Sequence, residues 1–365
     1  MSSPKTTPLV ASLPATVPFV GPETQERHRG TPFRARLGAN ENVFGPAPGA
    51  VAAMAAAAAD IWMYADPENH DLKHALAAHH GVAPENIVIG EGIDGLLGYL
   101  CRMFVAPGVK VVTSDGAYPT FNFHVAGYGG TLTKLPYRGD FEDPGALIAA
   151  GDGATLIYIA NPDNPMGTIH DADTMAEMVA AIPPGALLIL DEAYADFAEI
   201  PLLPMDVGNP QVIRFRTFSK AYGMAGARVG YAITHRDLAR EFNKIRNHFG
   251  MNRAAIAGAL AALEDQEYLR QVTQSVAAAR ARISAIAGAV GLETVPSATN
   301  FVAIDCGKDG DFARAVLGSL VDQGIFVRMP FVAPQDRCIR VSAGRPGDLD
   351  LFAEAFPRAL AAATG

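Results

Sequence analysis

The chain has 365 residues, 49% of them hydrophobic and 18% charged, with 36 glycines and 26 prolines spread along its length. That composition describes a globular protein rather than a disordered one, with room for a large domain and a smaller one. The formal net charge of −9 argues against the basic face that a nucleic-acid partner requires, and no run approaches the roughly 20 apolar residues of a membrane span.

Residues 9–20 are mildly apolar, but Pro14 and Pro18 interrupt them and only Lys5 precedes them. They read as an extended arm, not as a secretory signal. The alanine-rich stretch 50–59 predicts an amphipathic helix. From about residue 70, short apolar strands alternate with helices. Strands are expected at 86–89, 109–113, 131–135, 155–160, 186–190, 212–215 and 229–233, and helices over 90–104, 119–127 and 171–181. Such alternation predicts an α/β domain whose central sheet is covered by helices on both faces. After Thr234 the pattern changes. Helix is expected over 235–247, a long alanine-rich helix over 252–290, and a helix near 311–323. Strands are expected at 300–305, 325–328 and 338–341, before a final helix. That half predicts a smaller α+β domain. The first fifty-odd residues have no strand–helix rhythm of their own, so the division is an arm (1–36), a discontinuous small domain (37–60 and 246–365) and a large domain (61–245). Cys101, Cys306 and Cys338 have neither disulfide nor metal spacing. They predict buried thiols in a reducing compartment, taken as the cytoplasm, and no metal site.

The chemistry concentrates at Thr217-Phe218-Ser219-Lys220-Ala221-Tyr222-Gly223, with Arg228 eight positions beyond the lysine. Lysine forms a reversible imine with a carbonyl cofactor, and Ser219 and Arg228 suit an anionic phosphate. The combination points to pyridoxal 5'-phosphate (PLP) held on Lys220. Such a cofactor also needs an acid facing its pyridine nitrogen, a donor to its ring hydroxyl, a phosphate cup, an aromatic face and a clamp for an anionic substrate. Asp191 follows the apolar run 186–190, at the carboxyl end of a buried strand, where α/β sites collect; a helix-capping aspartate is the alternative reading. Tyr194 and Asn161 are candidates for the ring hydroxyl, although Asn161-Pro162 also reads as a turn. Gly92, Ile93 and Asp94 open a helix, whose N-terminus favours an anion. Phe121 is the candidate for stacking on the ring, with ordinary core as the alternative, and His124 lies on the same helical face. Arg328 and Arg340 each occupy a short apolar strand, where an arginine is costly unless it meets an anion. One or both should clamp the substrate.

These motifs, together with Asn40-Glu41-Asn42, Tyr64-Ala65-Asp66-Pro67, Asn161–Gly167, Asp191-Glu192-Ala193-Tyr194 and Arg340-Val341-Ser342, resemble the fold-type I PLP enzymes of the class I/II aminotransferases. Within that class the likeness is greatest to the histidinol-phosphate aminotransferases. The resemblance implies the aspartate aminotransferase-like fold and a homodimer with shared active sites. It also implies that Tyr64 reaches the partner's cofactor phosphate, that Asn40 lies near substrate, and that Arg340 binds its carboxylate or phosphate. Lys220 would serve first as the imine and then as the base, with glutamate the expected amino donor. Three positions and one segment depart from the pattern. Ile93 replaces a small hydroxyl residue, Gly95 an acid, Phe19 a tyrosine expected to help hold a substrate phosphate, and residues 247–250 an Asn-Pro-Phe-Asn type of segment. All lie where substrate is selected. An aminotransferase for aromatic or other amino acids, and a decarboxylase of the threonine-phosphate type, therefore stand as alternative readings, with a non-enzymatic regulator a distant third.

Overall fold

The computed structural model describes residues 4–15 and 20–364. In the arm lie α1 (Pro8–Ser12), α2 (Pro22–Arg29) and β1 (Ala35–Arg36). There follow α3 (Pro48–Ala57), α4 (His70–His80), β2 (Ile87–Gly90), α5 (Gly92–Phe104), β3 (Lys110–Ser114), α6 (Pro119–Gly127), β4 (Thr131–Leu135), α7 (Pro144–Ala149) and β5 (Leu156–Ala160). Next come α8 (Ala172–Ala180), β6 (Leu187–Asp191), β7 (Val212–Thr217), β8 (Gly230–Thr234), α9 (Arg236–Glu241) and α10 (Arg253–Glu264). The chain ends with α11 (Gln266–Ala289), β9 (Phe301–Asp305), α12 (Gly310–Asp322), β10 (Ile325–Phe326), β11 (Cys338–Ser342) and α13 (Pro346–Thr364).

The central sheet has seven strands in the order β2-β8-β7-β6-β5-β3-β4, and only β8 runs antiparallel to its neighbours. β5 and β6 are buried at every position, as strands covered on both faces must be. The parallel direction puts the carboxyl ends of β5, β6 and β7 along one edge, so Ala160, Asp191 and Thr217 open onto the same crevice. A second layer pairs β9 with β11 in antiparallel register, while β1 joins β10 in parallel. This layer packs with α11, α12 and α13 around Phe301, Ile304, Ile339, Phe352 and Phe356.

Two helices expected in the smaller domain, α3 and α10, share a core with β2, β8 and α4 on the large sheet, through Ala47, Ala50, Ala255 and Ala259. Alanine and glycine allow that close approach. A Cβ on Gly258 would lie 2.5 Å from Cγ of Met54. The arm is not wholly extended as expected: Thr7 caps α1 through its side chain, and prolines begin both α1 and α2, which suits the first helical turn. The expected single helix over 252–290 is two, because Asp265 turns its carboxylate onto the backbone N–H of Tyr268 and starts α11 afresh. No helix among the described residues is long and apolar enough to cross a membrane.

Candidate active site

A cavity of about 450 Å³ lies where the carboxyl ends of β5, β6 and β7 face Asn40 and the second layer. Lys220, Asp191, Tyr194, Ser219, Arg228, Asp94, Ile93, Asn40, Arg328 and Arg340 all line it. Lys220 stands in the loop after β7. Its Nζ donates to the backbone oxygen of Asn40 at 3.3 Å and lies 5.4 Å from the centre of the Tyr194 ring. Asn40 has a left-handed backbone (φ 54°), and its amide donates to the Tyr194 hydroxyl at 3.0 Å. Ser342 on β11 and Asn300 also hold Asn40, so the lysine, the tyrosine and the second layer meet at one residue.

Asp191 ends β6 and is buried. Its Oδ2 accepts the Tyr158 hydroxyl at 2.7 Å, and its Oδ1 accepts the Ala193 N–H at 3.0 Å. Burial dominates and raises its pKa to about 6, against the lowering effect of those two donors. An ionised carboxylate there calls for a cationic partner such as a protonated ring nitrogen.

At the start of α5, Gly92 takes φ +76°, and a Cβ there would fall 2.2 Å from Nη2 of Arg228. Glycine thus lets the guanidinium lie against the helix N-terminus. Arg228, itself left-handed (φ 57°), donates through Nη1 to Ser219 Oγ at 3.2 Å. Helix N-terminus, serine hydroxyl and guanidinium together form a cup for an anion. The Asp94 carboxylate accepts the Tyr118 hydroxyl at 3.0 Å. Ile93 packs into the core cluster that holds Leu96 and Leu97, and its side chain has no hydrogen-bond donor for the cup.

On the opposite wall, Arg328 and Arg340 face each other across an antiparallel backbone bridge. Arg340 donates to the side-chain oxygen of Asn164, its guanidinium lies 5.1 Å from the centre of the Phe301 ring, and its Nε is buried with no hydrogen-bond partner. Burial pushes its pKa down to about 10. An orphaned guanidinium N–H beside a cavity suits an anionic ligand. Arg328 reaches the carbonyl oxygen of Val20, midway along the arm, at 2.7 Å, and burial lowers its pKa.

Two expectations need correction. Phe121 does not face the cavity. It is fully buried and stacks on Tyr158, with centroids 4.7 Å apart and planes at 15°. Tyr118, the residue just before α6, lines the cavity instead. Asn161 is likewise committed elsewhere: its amide donates to the His170 carbonyl at 3.0 Å and accepts the His170 N–H at 2.8 Å, closing the loop from 161 to 170. Asn164, the second asparagine of the same segment, lines the cavity. Tyr64 lies outside the cavity of this single chain and is 77% exposed, its ring tilted against that of Phe249. Phe19 lies outside the described residues.

Known proteins share this sequence pattern and fold. The sequence matches the profile of the family described as aminotransferase class I and II over residues 35–356. It is 33% identical over 364 residues, 98% of this chain and 94% of the other, to a histidinol-phosphate aminotransferase of Moorella thermoacetica. The fold superposes with a TM-score of 0.95 on the crystal structure of histidinol-phosphate aminotransferase from Sinorhizobium meliloti in complex with pyridoxal 5'-phosphate. The two are 53% identical, and the match covers 99% of this chain and 98% of that one. At 21% identity, a double mutant of aspartate aminotransferase from Thermus thermophilus shares the fold with a TM-score of 0.83, covering 98% of this chain and all of that one. The chain belongs to the class I and II aminotransferases.

Proposed function

We propose that this aminotransferase uses pyridoxal 5'-phosphate on Lys220 to exchange an amino group between glutamate and the keto partner of histidinol phosphate. The observation that carries the reading is the convergence of Lys220, Asp191, the Gly92–Ser219–Arg228 cup and Arg340 on one cavity. The residues fit the cofactor. Only glycine at 92 leaves room for Arg228 at the cup, and Asp191 is a buried carboxylate held by neutral donors. Bound there, the cofactor offers an aldehyde carbon to amines and a ring that holds the electron pair left when a Cα proton departs.

The chain's own groups do the rest. Lys220 Nζ is the attachment point and, once released, the base that moves the Cα proton. Asp191, aligned by Tyr158 and the Ala193 N–H, holds a proton on the ring nitrogen. Tyr194 and Asn164 donate to the ring hydroxyl, and Tyr118 covers a ring face. Ser219, Arg228 and the backbone at Gly92–Asp94 take the phosphate. Arg340, and with it Arg328, takes the anionic end of the substrate, and Asn40 lies beside it. The names of the relatives favour histidinol phosphate over an aromatic amino acid or a decarboxylation substrate. We also infer a homodimer in which Tyr64 of each subunit reaches the other's phosphate cup. Three buried, unpaired cysteines support a cytoplasmic location.

Lys220→Ala tests the assignment. It should abolish turnover, leave the fold intact, and remove the cofactor–protein bond that borohydride fixes. A variant that retained both the reducible bond and normal turnover would defeat it.

A further inference from the structure

The wall of the cavity divides by chemistry. Lys220, Arg228, Arg328 and Arg340 make one part of it cationic. Its mouth is aromatic. Phe123 and Phe331 both line the cavity, yet they are 53% and 70% exposed. Of the large apolar residues left that open to solvent among the described residues, these are the two that lie on the cavity. Neither the cofactor nor the anion clamp accounts for them.

The neighbours of both rings are anchored. On α6, Phe121 and Val125 are fully buried, and Thr120, Phe123 and His124 share the helix face that lines the cavity. Phe331 belongs to the loop between β10 and β11. Arg328 opens that loop with two backbone hydrogen bonds to Arg340, at 3.2 and 2.6 Å. Val332 lies over Gly116, where a Cβ would fall 3.4 Å from the valine Cβ, and buried Gln335 donates to the Gly139 carbonyl at 2.8 Å. The backbone on either side of Phe331 is thus held while its ring is left to the mouth. Three residues of extended chain span roughly 10 Å at most, so Phe331 and Arg328 are within reach of one small molecule.

We propose that Phe331, together with Phe123, forms a specificity-determining subsite that receives the flat ring of a ring-bearing amino donor while the donor's anionic end meets the arginines. A ring set against phenylalanine gains contact area and a favourable quadrupole geometry. A protonated imidazole adds a cation–π attraction. Glutamate has no ring, and its second carboxylate would lose water against a phenylalanine with no donor in return. That carboxylate must turn to a guanidinium instead. The aromatic rim therefore serves one of the two donors, and one cavity accepts both a ring-bearing amine phosphate and a ringless dicarboxylate.

The inference rests on histidinol phosphate as the donor, and the test separates the two. The half-reaction of the PLP-loaded protein is followed with histidinol phosphate, phenylalanine and glutamate in the wild type, Phe331→Ala, Phe331→Tyr and the double variant Phe123→Ala/Phe331→Ala. The quantity read is the ratio of kcat/KM for the ring-bearing donor to kcat/KM for glutamate. In Phe331→Ala that ratio should fall on the order of tenfold, chiefly through a higher KM for the ring-bearing donor, and it should fall further in the double variant. Phe331→Tyr keeps the ring and should hold the ratio near the wild-type value. A ratio unchanged in the double variant, even where both donors slow together, refutes the subsite and assigns the two rings to packing or to a subunit contact. If the wild type converts phenylalanine and not histidinol phosphate, the substrate reading falls, and the ratio taken with phenylalanine still tests the rim. A wild type that converts neither refutes both.

Discussion

At the residue scale, Asp191 couples the cofactor to stability. Its folded pKa of about 6 is above the ordinary aspartate value, so its contribution is complete below that ordinary value and is lost as pH rises through about 6. A rise of that size corresponds to about 3 kcal/mol at most. The melting temperature of cofactor-free protein should therefore fall between about pH 4 and about pH 7, and Asp191→Asn should flatten that fall. Added pyridoxal 5'-phosphate, whose ring nitrogen gives the carboxylate its cation, should raise the melting temperature more at about pH 7.5 than at about pH 5. Equal stabilisation at both pH values would contradict the pairing. Asp191 and Lys220 are legible in the sequence because an acid at a strand end and a lysine in a glycine-rich loop are local features. The choices between Asn161 and Asn164, and between Phe121 and Tyr118, are not. Asn161 is consumed by a hydrogen-bonded loop closure at His170, nine residues away, and Phe121 by the stack on Tyr158 from another element. A non-local partner decides each case.

At the element scale, the loop between β7 and β8 owes its shape to the loop before α3. Gly223 takes φ +68°, and a Cβ there would lie 2.4 Å from the carbonyl carbon of Gly45. Backbone cannot give way as a flexible side chain can. The Asn42 amide holds the same junction through the Ala221 carbonyl at 2.9 Å. Gly223→Ala should therefore cost at least about 2 kcal/mol, from strain and displacement together, and should loosen the cofactor because Lys220 moves with the loop. Thermal unfolding and cofactor titration read the two effects. A variant with wild-type stability would show that this contact does not set the loop. The strands of the large sheet are readable from their apolar runs to within a residue or two. The break between α10 and α11 is hidden because Asp265 sits among Glu264 and Gln266, which look like an ordinary helix surface.

At the scale of the whole molecule, an apolar surface remains to be covered. Trp62 is 79% exposed, beside Ile61 at 58%, Tyr64 at 77% and Phe249 at 53%. Large apolar side chains grouped in this way mark an interface, and the proposed dimer would bury them while carrying Tyr64 to the partner's cup. Trp62 is the single tryptophan, so its emission should move to the blue as concentration drives association. Trp62→Glu should sediment as a monomer with weakened cofactor binding. A wild-type protein that sediments as a monomer while fully active would rule out the shared site. The proposed dimer rests, at the level of sequence, on resemblance alone, since nothing in one chain's periodicity distinguishes a core tryptophan from an interface one.

The central claim is that this site transfers the amino group of histidinol phosphate. The most direct measurement adds histidinol phosphate, glutamate, phenylalanine, tyrosine and threonine phosphate separately to the PLP-loaded protein without an acceptor, and follows the cofactor's absorbance. Rapid conversion to pyridoxamine phosphate by histidinol phosphate and by glutamate is the expected result. Conversion by the aromatic amino acids with none by histidinol phosphate, or release of carbon dioxide from threonine phosphate, would contradict the claim.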